Sequence, residues 1–117
     1  MKIILSFAFI LFLFNFVEAQ IEEVGATTQG NENITGYKYR FTSQVDDTIS
    51  IKIIDPRGEL MSVPVQDRTI LAAQSVPFRF QTRFWRPGQY QIIVESKKES
   101  SFVKRFQLDA SGKKTNN

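Results

Sequence analysis

The sequence alternates apolar and polar residues with a period of two, and this pattern constrains the fold more than any other feature. It is clearest at residues 37–41, Tyr-Lys-Tyr-Arg-Phe, where aromatic side chains alternate with cations. A half-buried β-strand alternates in this way, whereas an amphipathic helix repeats its apolar positions every three or four residues. Similar alternation occurs at residues 49–53, 78–84 and 90–94, and further strands are expected at about 20–27, 59–65 and 101–108. The pattern predicts about seven strands, with Phe78, Phe80 and Phe84 pointing inward.

Turn-forming residues separate these segments. Pro56 and Gly58 in Asp-Pro-Arg-Gly, and Pro87 and Gly88 in Arg-Pro-Gly-Gln, stand where β-turns favour proline and glycine. We therefore expect structural roles for these four residues. Residues 67–75 form the longest stretch without an assigned element. Short strands joined by such turns predict an all-β domain over residues 20–109, an antiparallel β-sandwich.

The two ends of the chain differ from this domain. Lys2 precedes an apolar run from Ile3 to Phe14, and Val17 and Ala19 occupy the −3 and −1 positions of a signal-peptidase site. The run is shorter than the roughly 20 residues that a membrane span needs. Residues 1–19 are thus predicted to be a cleaved signal peptide of a secreted protein; the alternative is an uncleaved anchor. Residues 110–117 are expected to be a disordered polar tail.

The composition excludes several functions. The chain contains no cysteine and no histidine. Without disulfides, a hydrophobic core must hold the domain together, and the sequence supplies aromatic and β-branched residues for it. Most nucleophile and general-base arrangements need one of those two residue types. Asp46 and Asp47 are the only candidate calcium ligands, and they lack EF-hand spacing. We expect no enzymatic activity, no metal and no cofactor.

Strand alternation places several cations on outward faces. Burying the aromatic and isoleucine partners exposes Lys38, Arg40, Lys52, Arg79 and Arg83. If their strands are neighbours, these residues share a basic face that could bind an acidic glycan or phospholipid headgroups. The alternative is that exposed cations only prevent edge pairing and aggregation. Nucleic acid is not expected, because aromatics and cations fall on opposite faces of each strand.

Two further residues are candidate sites. Trp85 lies in a predicted turn and is a candidate partner contact, or else a plug at the end of the sandwich. Asn33 begins the sequon Asn-Ile-Thr, which predicts N-glycosylation of a secreted glycoprotein.

Tyr90 carries the most specific local signal. The sequence Gly-Gln-Tyr-Gln-Ile at residues 88–92 is similar to the tyrosine corner of immunoglobulin-like sandwiches. In that corner the tyrosine hydroxyl bonds to backbone a few residues upstream, here between Arg83 and Pro87. Antibody domains have cysteine at the position of Ile92, so the chain is immunoglobulin-like without belonging to the antibody family.

A wider resemblance covers residues 49–108. Its motifs are Ile-Lys-Ile-Ile-Asp-Pro-Arg-Gly-Glu-Leu at 51–60, Phe-Arg-Phe at 78–80 and Pro-Gly-Gln-Tyr-Gln-Ile-Ile-Val at 87–94. This region resembles the GOLD-type domains of secretory-pathway cargo receptors and the sandwich segment of hemicentin-like matrix proteins. The resemblance implies a non-catalytic binding or structural module. We therefore expect a secreted module for extracellular adhesion, matrix or ligand recognition, with an extracellular protein or acidic glycan as its partner. The alternative is a small secreted basic effector, a host-defence or venom factor acting on anionic membranes or glycans.

Overall fold

The computed structural model describes residues 20–29, 33–110 and 113–115, so the predicted signal peptide lies outside the described residues. Within them the chain forms strands and no helix. The strands are β1 (Ile21–Gln29), β2 (Asn33–Thr42), β3 (Asp47–Ile54), β4 (Leu60–Ile70), β5 (Ser75–Gln81), β6 (Gly88–Ser96), β7 (Phe102–Leu108) and β8 (Lys114–Thr115).

The strands form two antiparallel sheets. One has the order β1-β2-β5, and the other has the order β4-β3-β6-β7-β8, in which β8 contributes only two residues. This arrangement confirms the predicted antiparallel β-sandwich of about seven strands. Immunoglobulin constant-type domains place the fourth strand beside the fifth, whereas here β4 pairs with β3.

The core lies between the sheets and consists of aromatic and β-branched side chains. Burial alternates strictly along β3 and β5, as the period of two predicts. Tyr39 from one sheet stacks on Phe80 with 5.6 Å between ring centroids, and Phe106 from the other sheet lies 5.5 Å from Phe80. Such ring contacts add to the hydrophobic stabilisation that each buried side chain supplies, about 1.5–3 kcal/mol. Aromatic packing thus holds the sheets together without disulfides.

The prediction for Phe84 was wrong. β5 ends at Gln81, and the Trp85 N–H donates to the Thr82 carbonyl oxygen at 3.0 Å, which closes a turn. The turn breaks the alternation, so Phe84 is 88% exposed instead of buried.

The structure also differs from the sequence prediction at two strand ends. β4 continues to Ile70 through residues that the sequence left unassigned, with a positive φ of 47° at Asp67 that marks a bulge. In the segment expected to be a disordered tail, β8 pairs with the end of β7. The Lys114 N–H donates to the Tyr37 hydroxyl and the Lys114 ammonium pairs with Glu23, which ties β8 to the opposite sheet.

Candidate functional site

The five predicted cations do not share one face. Lys38 and Arg79 lie directly opposite each other on β2 and β5, and Arg40 lies two residues from Lys38 on the same strand. Lys52 belongs to β3 in the other sheet, so its outward side chain faces the opposite side of the sandwich. Arg83 lies in the turn after β5. The prediction of a single basic face was therefore wrong for Lys52, and Arg83 lies outside the strands.

The four cations that lie on strands differ in their ion-pair partners. The Arg40 guanidinium pairs with Glu22 at 2.7 Å, and the Lys52 ammonium pairs with Glu95 at 2.7 Å. Lys38 and Arg79 are exposed, and neither makes an ion pair within the described ranges. They form a two-residue basic pair on the outer face of the three-stranded sheet.

A cleft of about 340 Å³ lies at one end of the sandwich. Its walls are the turn between β3 and β4 and the turn between β5 and β6, and Met61 and Tyr90 complete its lining. The two turns are in close contact, because a Cβ atom added to Gly88 would lie 2.6 Å from Cγ of Pro56. Glycine also suits the φ of 141° at this position.

Hydrogen bonds define the β3–β4 wall of the cleft. Oδ1 of Asp55 accepts from the backbone N–H groups of Arg57 at 2.9 Å and Glu59 at 2.8 Å. The Gly58 N–H donates to the Asp55 carbonyl oxygen at 3.0 Å, and Gly58 has a φ of 87°. The Asp-Pro-Arg-Gly sequence thus forms a turn with the geometry that its residues favour.

Tyr90 anchors the β5–β6 wall. Its ring is buried, and its hydroxyl donates to the Arg86 carbonyl oxygen at 2.7 Å, within the turn that the tyrosine-corner motif indicates. Burial raises the pKa of this hydroxyl, and the nearby Asp55 carboxylate raises it further. The hydroxyl therefore remains a neutral hydrogen-bond donor at physiological pH.

Trp85 packs against the core from the same turn. Its half-buried ring stacks on Phe80 at 5.9 Å and on Tyr90 at 5.2 Å between centroids. This geometry favours the plug over the predicted partner contact, because packing within the protein occupies much of the ring. Only part of the ring faces the cleft.

Phe84 is the exposed aromatic of this turn, and the sequence prediction missed it. With the Thr82–Trp85 hydrogen bond, Phe84 is the third turn residue and has a φ of 72°. A type II turn requires positive φ there and favours glycine. The Arg83 guanidinium lies 4.9 Å from the Phe84 ring centroid. The adjacent aromatics Phe84 and Trp85 were the available signal, since neighbouring side chains diverge and one of the two must point outward.

The chemistry of the cleft suits binding. The lining includes Arg57 and Arg86 together with apolar side chains, and its acidic members are Asp55 and Glu59. In the part of the chain that the structure describes, no group of three or more acidic residues could hold a metal ion. The cleft thus offers apolar contact and arginine donors to a ligand.

The two adjacent aspartates considered for calcium lie elsewhere and have protein partners. Oδ1 of Asp46 accepts from the Ala72 N–H at 2.8 Å. Asp47 is buried and accepts from the Ser96 hydroxyl and the Thr48 N–H. Burial alone would raise the pKa of the Asp47 carboxyl, but these hydrogen bonds outweigh it and lower that pKa. Asp47 therefore ties β3 to the β6–β7 turn.

Comparison with known proteins identifies no relative: no family model, curated protein or solved structure matches the chain.

The sequon residue Asn33 begins β2, but its side chain lies outside the described residues. Across the described ranges, no helix is long and apolar enough to cross a membrane.

Proposed function

We propose that the protein is a secreted, non-catalytic binding module that recognises an extracellular protein through the cleft between the β3–β4 and β5–β6 turns. The observation that carries this proposal is Phe84. Its ring is almost fully exposed, and its backbone occupies a conformation that glycine adopts more readily.

Neither the exposed ring of Phe84 nor its positive φ stabilises the folded protein by itself. A side chain in the left-handed region costs about 1–2 kcal/mol relative to the ordinary backbone regions. The exposed ring recovers little of this by burial within the protein. Strained residues of this kind concentrate at ligand contacts, because selection for binding retains them. The free energy is regained if a partner buries the ring.

The surroundings of Phe84 have the composition of a protein contact surface. Aromatic residues, methionine and arginine are enriched in interface cores. Here Phe84 is flanked by Arg83 and Trp85, and Arg86 and Met61 line the same cleft. A cleft of this size accepts a protruding side chain from a partner, whereas a flat bilayer cannot fill a concave surface.

Secretion is supported by the amino-terminal sequence. A cation, an apolar run shorter than a membrane span and small residues before Gln20 form the pattern of a signal peptide. Intact-mass and amino-terminal analysis of material from the culture medium tests this part. We expect chains that begin at Gln20, and retention of residues 1–19 in a membrane fraction would overturn it.

Capture from extracellular fluid tests the contact surface. The immobilised wild-type protein is compared with Phe84→Gly, which keeps the turn geometry and removes the ring. Leu71→Ala is the matched control, because Leu71 is an exposed apolar residue at the opposite end of the sandwich. We expect a partner that wild type and Leu71→Ala retain and Phe84→Gly loses. Equal retention by all three proteins would refute the assignment.

A second candidate function, binding of anionic glycans or membranes, is favoured by the basic pair Lys38 and Arg79. Like charges directly opposite on paired strands are unfavourable, and a bound anion offsets this. Replacing both residues by glutamine should lower the salt concentration of elution from heparin. Lys52→Gln, on the other sheet, is the control. Leakage of anionic liposomes caused by wild type but not by the double variant would support a membrane effector.

A further inference from the structure

The outer face of the larger sheet carries apolar side chains at positions where alternation of apolar and polar residues would place polar ones. Ile53 and Ile92 are fully buried, so the adjacent Ile54 and Ile93 lie on the outer side of their strands and are half-buried. The neighbouring strands add further exposed apolar residues to this side. We call this surface the outer apolar face; it comprises Ile54, Leu60, Val63, Ile93 and Val103.

The strand register makes these residues neighbours. Ile93 lies directly opposite Lys52 on one side and Val103 on the other. Ile54 lies opposite Leu60 across the β3–β4 pair. Val63 and Leu60 line a shallow depression that also contains Lys52 and Glu95. The apolar residues therefore border one ion pair near the middle of the sheet, and Ser50, Gln66 and Asp67 line its other side.

We propose that the outer apolar face binds a second copy of this chain in a twofold dimer. A twofold axis parallel to the strands places β4 of each copy opposite β7 of the other. Leu60 and Val63 on one edge then meet Val103 on the partner's opposite edge. In such an isologous contact one surface patch must complement itself, and the apolar residues on both edges satisfy this requirement.

The charges on the face complement themselves as well. Lys52 and Glu95 lie on adjacent strands, with 2.7 Å between ammonium and carboxylate. The same rotation brings β3 of each copy, which carries Lys52, towards β6 of the other copy, which carries Glu95. A face with charges of one sign would repel its copy. Here each copy supplies both signs.

The size of the face determines the strength of the expected dimer. Four strands spaced about 4.8 Å apart, each contributing about seven residues of about 3.3 Å, give a surface of about 19 by 23 Å. That is about 440 Å² per copy, or roughly 870 Å² for the pair, which is below the size of stable interfaces and in the range of weak, transient contacts. The dimer should therefore be reversible and dissociate in the micromolar range, which makes it measurable.

Sedimentation velocity of the secreted protein between about 1 and 500 µM tests the proposal. We expect a concentration-dependent shift from monomer to dimer, and a dissociation constant raised about tenfold or more by Val103→Lys. Val24→Lys is the matched control, since Val24 is 58% exposed on the other sheet and Val103 is 51% exposed. A wild type that stays monomeric throughout, or equal effects of both variants, would overturn the proposal.

Charge exchange provides an independent test that does not depend on the apolar contacts. Lys52→Glu gives both members of the central ion pair a negative charge, and Glu95→Lys gives both a positive charge. Each variant alone should be monomeric, whereas an equimolar mixture should form a one-to-one heterodimer. Absence of heterodimer from the mixture would contradict the twofold arrangement. Neither outcome bears on the cleft, because Phe84 lies outside this face.

Discussion

Tyr39 and Tyr90 provide a matched pair for testing how hydroxyl groups contribute to this core. Each residue is 1% exposed. The Tyr90 hydroxyl donates to the Arg86 carbonyl oxygen at 2.7 Å, whereas the Tyr39 hydroxyl has no hydrogen-bond partner among the described residues. We expect Tyr90→Phe to lower the free energy of unfolding and Tyr39→Phe to raise it.

The magnitudes follow from the two environments. Loss of one hydrogen bond at Tyr90 should cost about 0.5–1.5 kcal/mol, and a buried hydroxyl without a partner costs about 1–3 kcal/mol that Tyr39→Phe would recover. The Tyr39 ring stacks on Phe78 and Phe80, and phenylalanine preserves this packing. The two variants should therefore differ by about 1.5 kcal/mol or more, at least about 6 °C in Tm.

The pH dependence adds a second readout. Burial raises the pKa of the Tyr39 hydroxyl, and the nearby Glu23 and Tyr37 raise it further. A tyrosine in the unfolded chain ionises near pH 10. Above that pH the unfolded state has lost a proton that the folded state keeps, so stability falls as pH rises. Tyr39→Phe should reduce this slope by about 1.4 kcal/mol per pH unit.

Urea denaturation followed by far-ultraviolet circular dichroism, at pH 7 and at pH 10.5, measures both effects. The comparison requires equal denaturant slopes for the wild type and both variants. If Tyr39→Phe destabilises the protein as much as Tyr90→Phe at pH 7, the Tyr39 hydroxyl is hydrogen-bonded and our reasoning about this core is wrong.

Three further predictions concern single positions. Gly36→Ala should destabilise the protein by about 1–3 kcal/mol in urea denaturation, because the added Cβ would lie 2.3 Å from the Phe80 carbonyl oxygen. Gly25→Ala is the control and should cost far less, because no atom lies within 4 Å of a Cβ added there. Asp47 has a lowered pKa, so its contribution is present above about pH 4 and is lost as pH falls below it; Asp47→Asn should flatten stability measured between pH 2 and 5. Phe84→Gly should be about 1 kcal/mol more stable than Phe84→Ala, and equal melting curves would argue against backbone strain there.

The sequence predicted most of the fold because burial on one side of a strand imposes alternation along the chain. The buried positions of β3 and β5 follow the alternation of the sequence. The alternation stops being informative where a strand ends without proline or glycine. β5 ends at Gln81, and neither Gln81 nor Thr82 is a proline or a glycine. The sequence prediction therefore assigned Phe84 to a strand that had already ended.

The basic face was mispredicted for a different reason. Alternation tells which side of its own strand a residue occupies, but it does not tell which sheet that strand joins. Lys52 and Arg79 both point outward, yet β3 and β5 belong to different sheets. The outer apolar face was more accessible to sequence reasoning, because the adjacent pairs Ile53-Ile54 and Ile92-Ile93 require one member of each to lie outside the core.

The stacking of Trp85 gives the protein a built-in optical reporter. Trp85 is the only tryptophan in the chain, so the whole indole emission comes from a ring that contacts Tyr90 and partly faces the cleft. Unfolding should shift that emission to longer wavelength as the ring enters water. A ligand that fills the cleft should shift it to shorter wavelength or quench it, whereas dimerisation through the outer apolar face should leave it unchanged. The emission spectrum can therefore distinguish the two proposed contacts without any label.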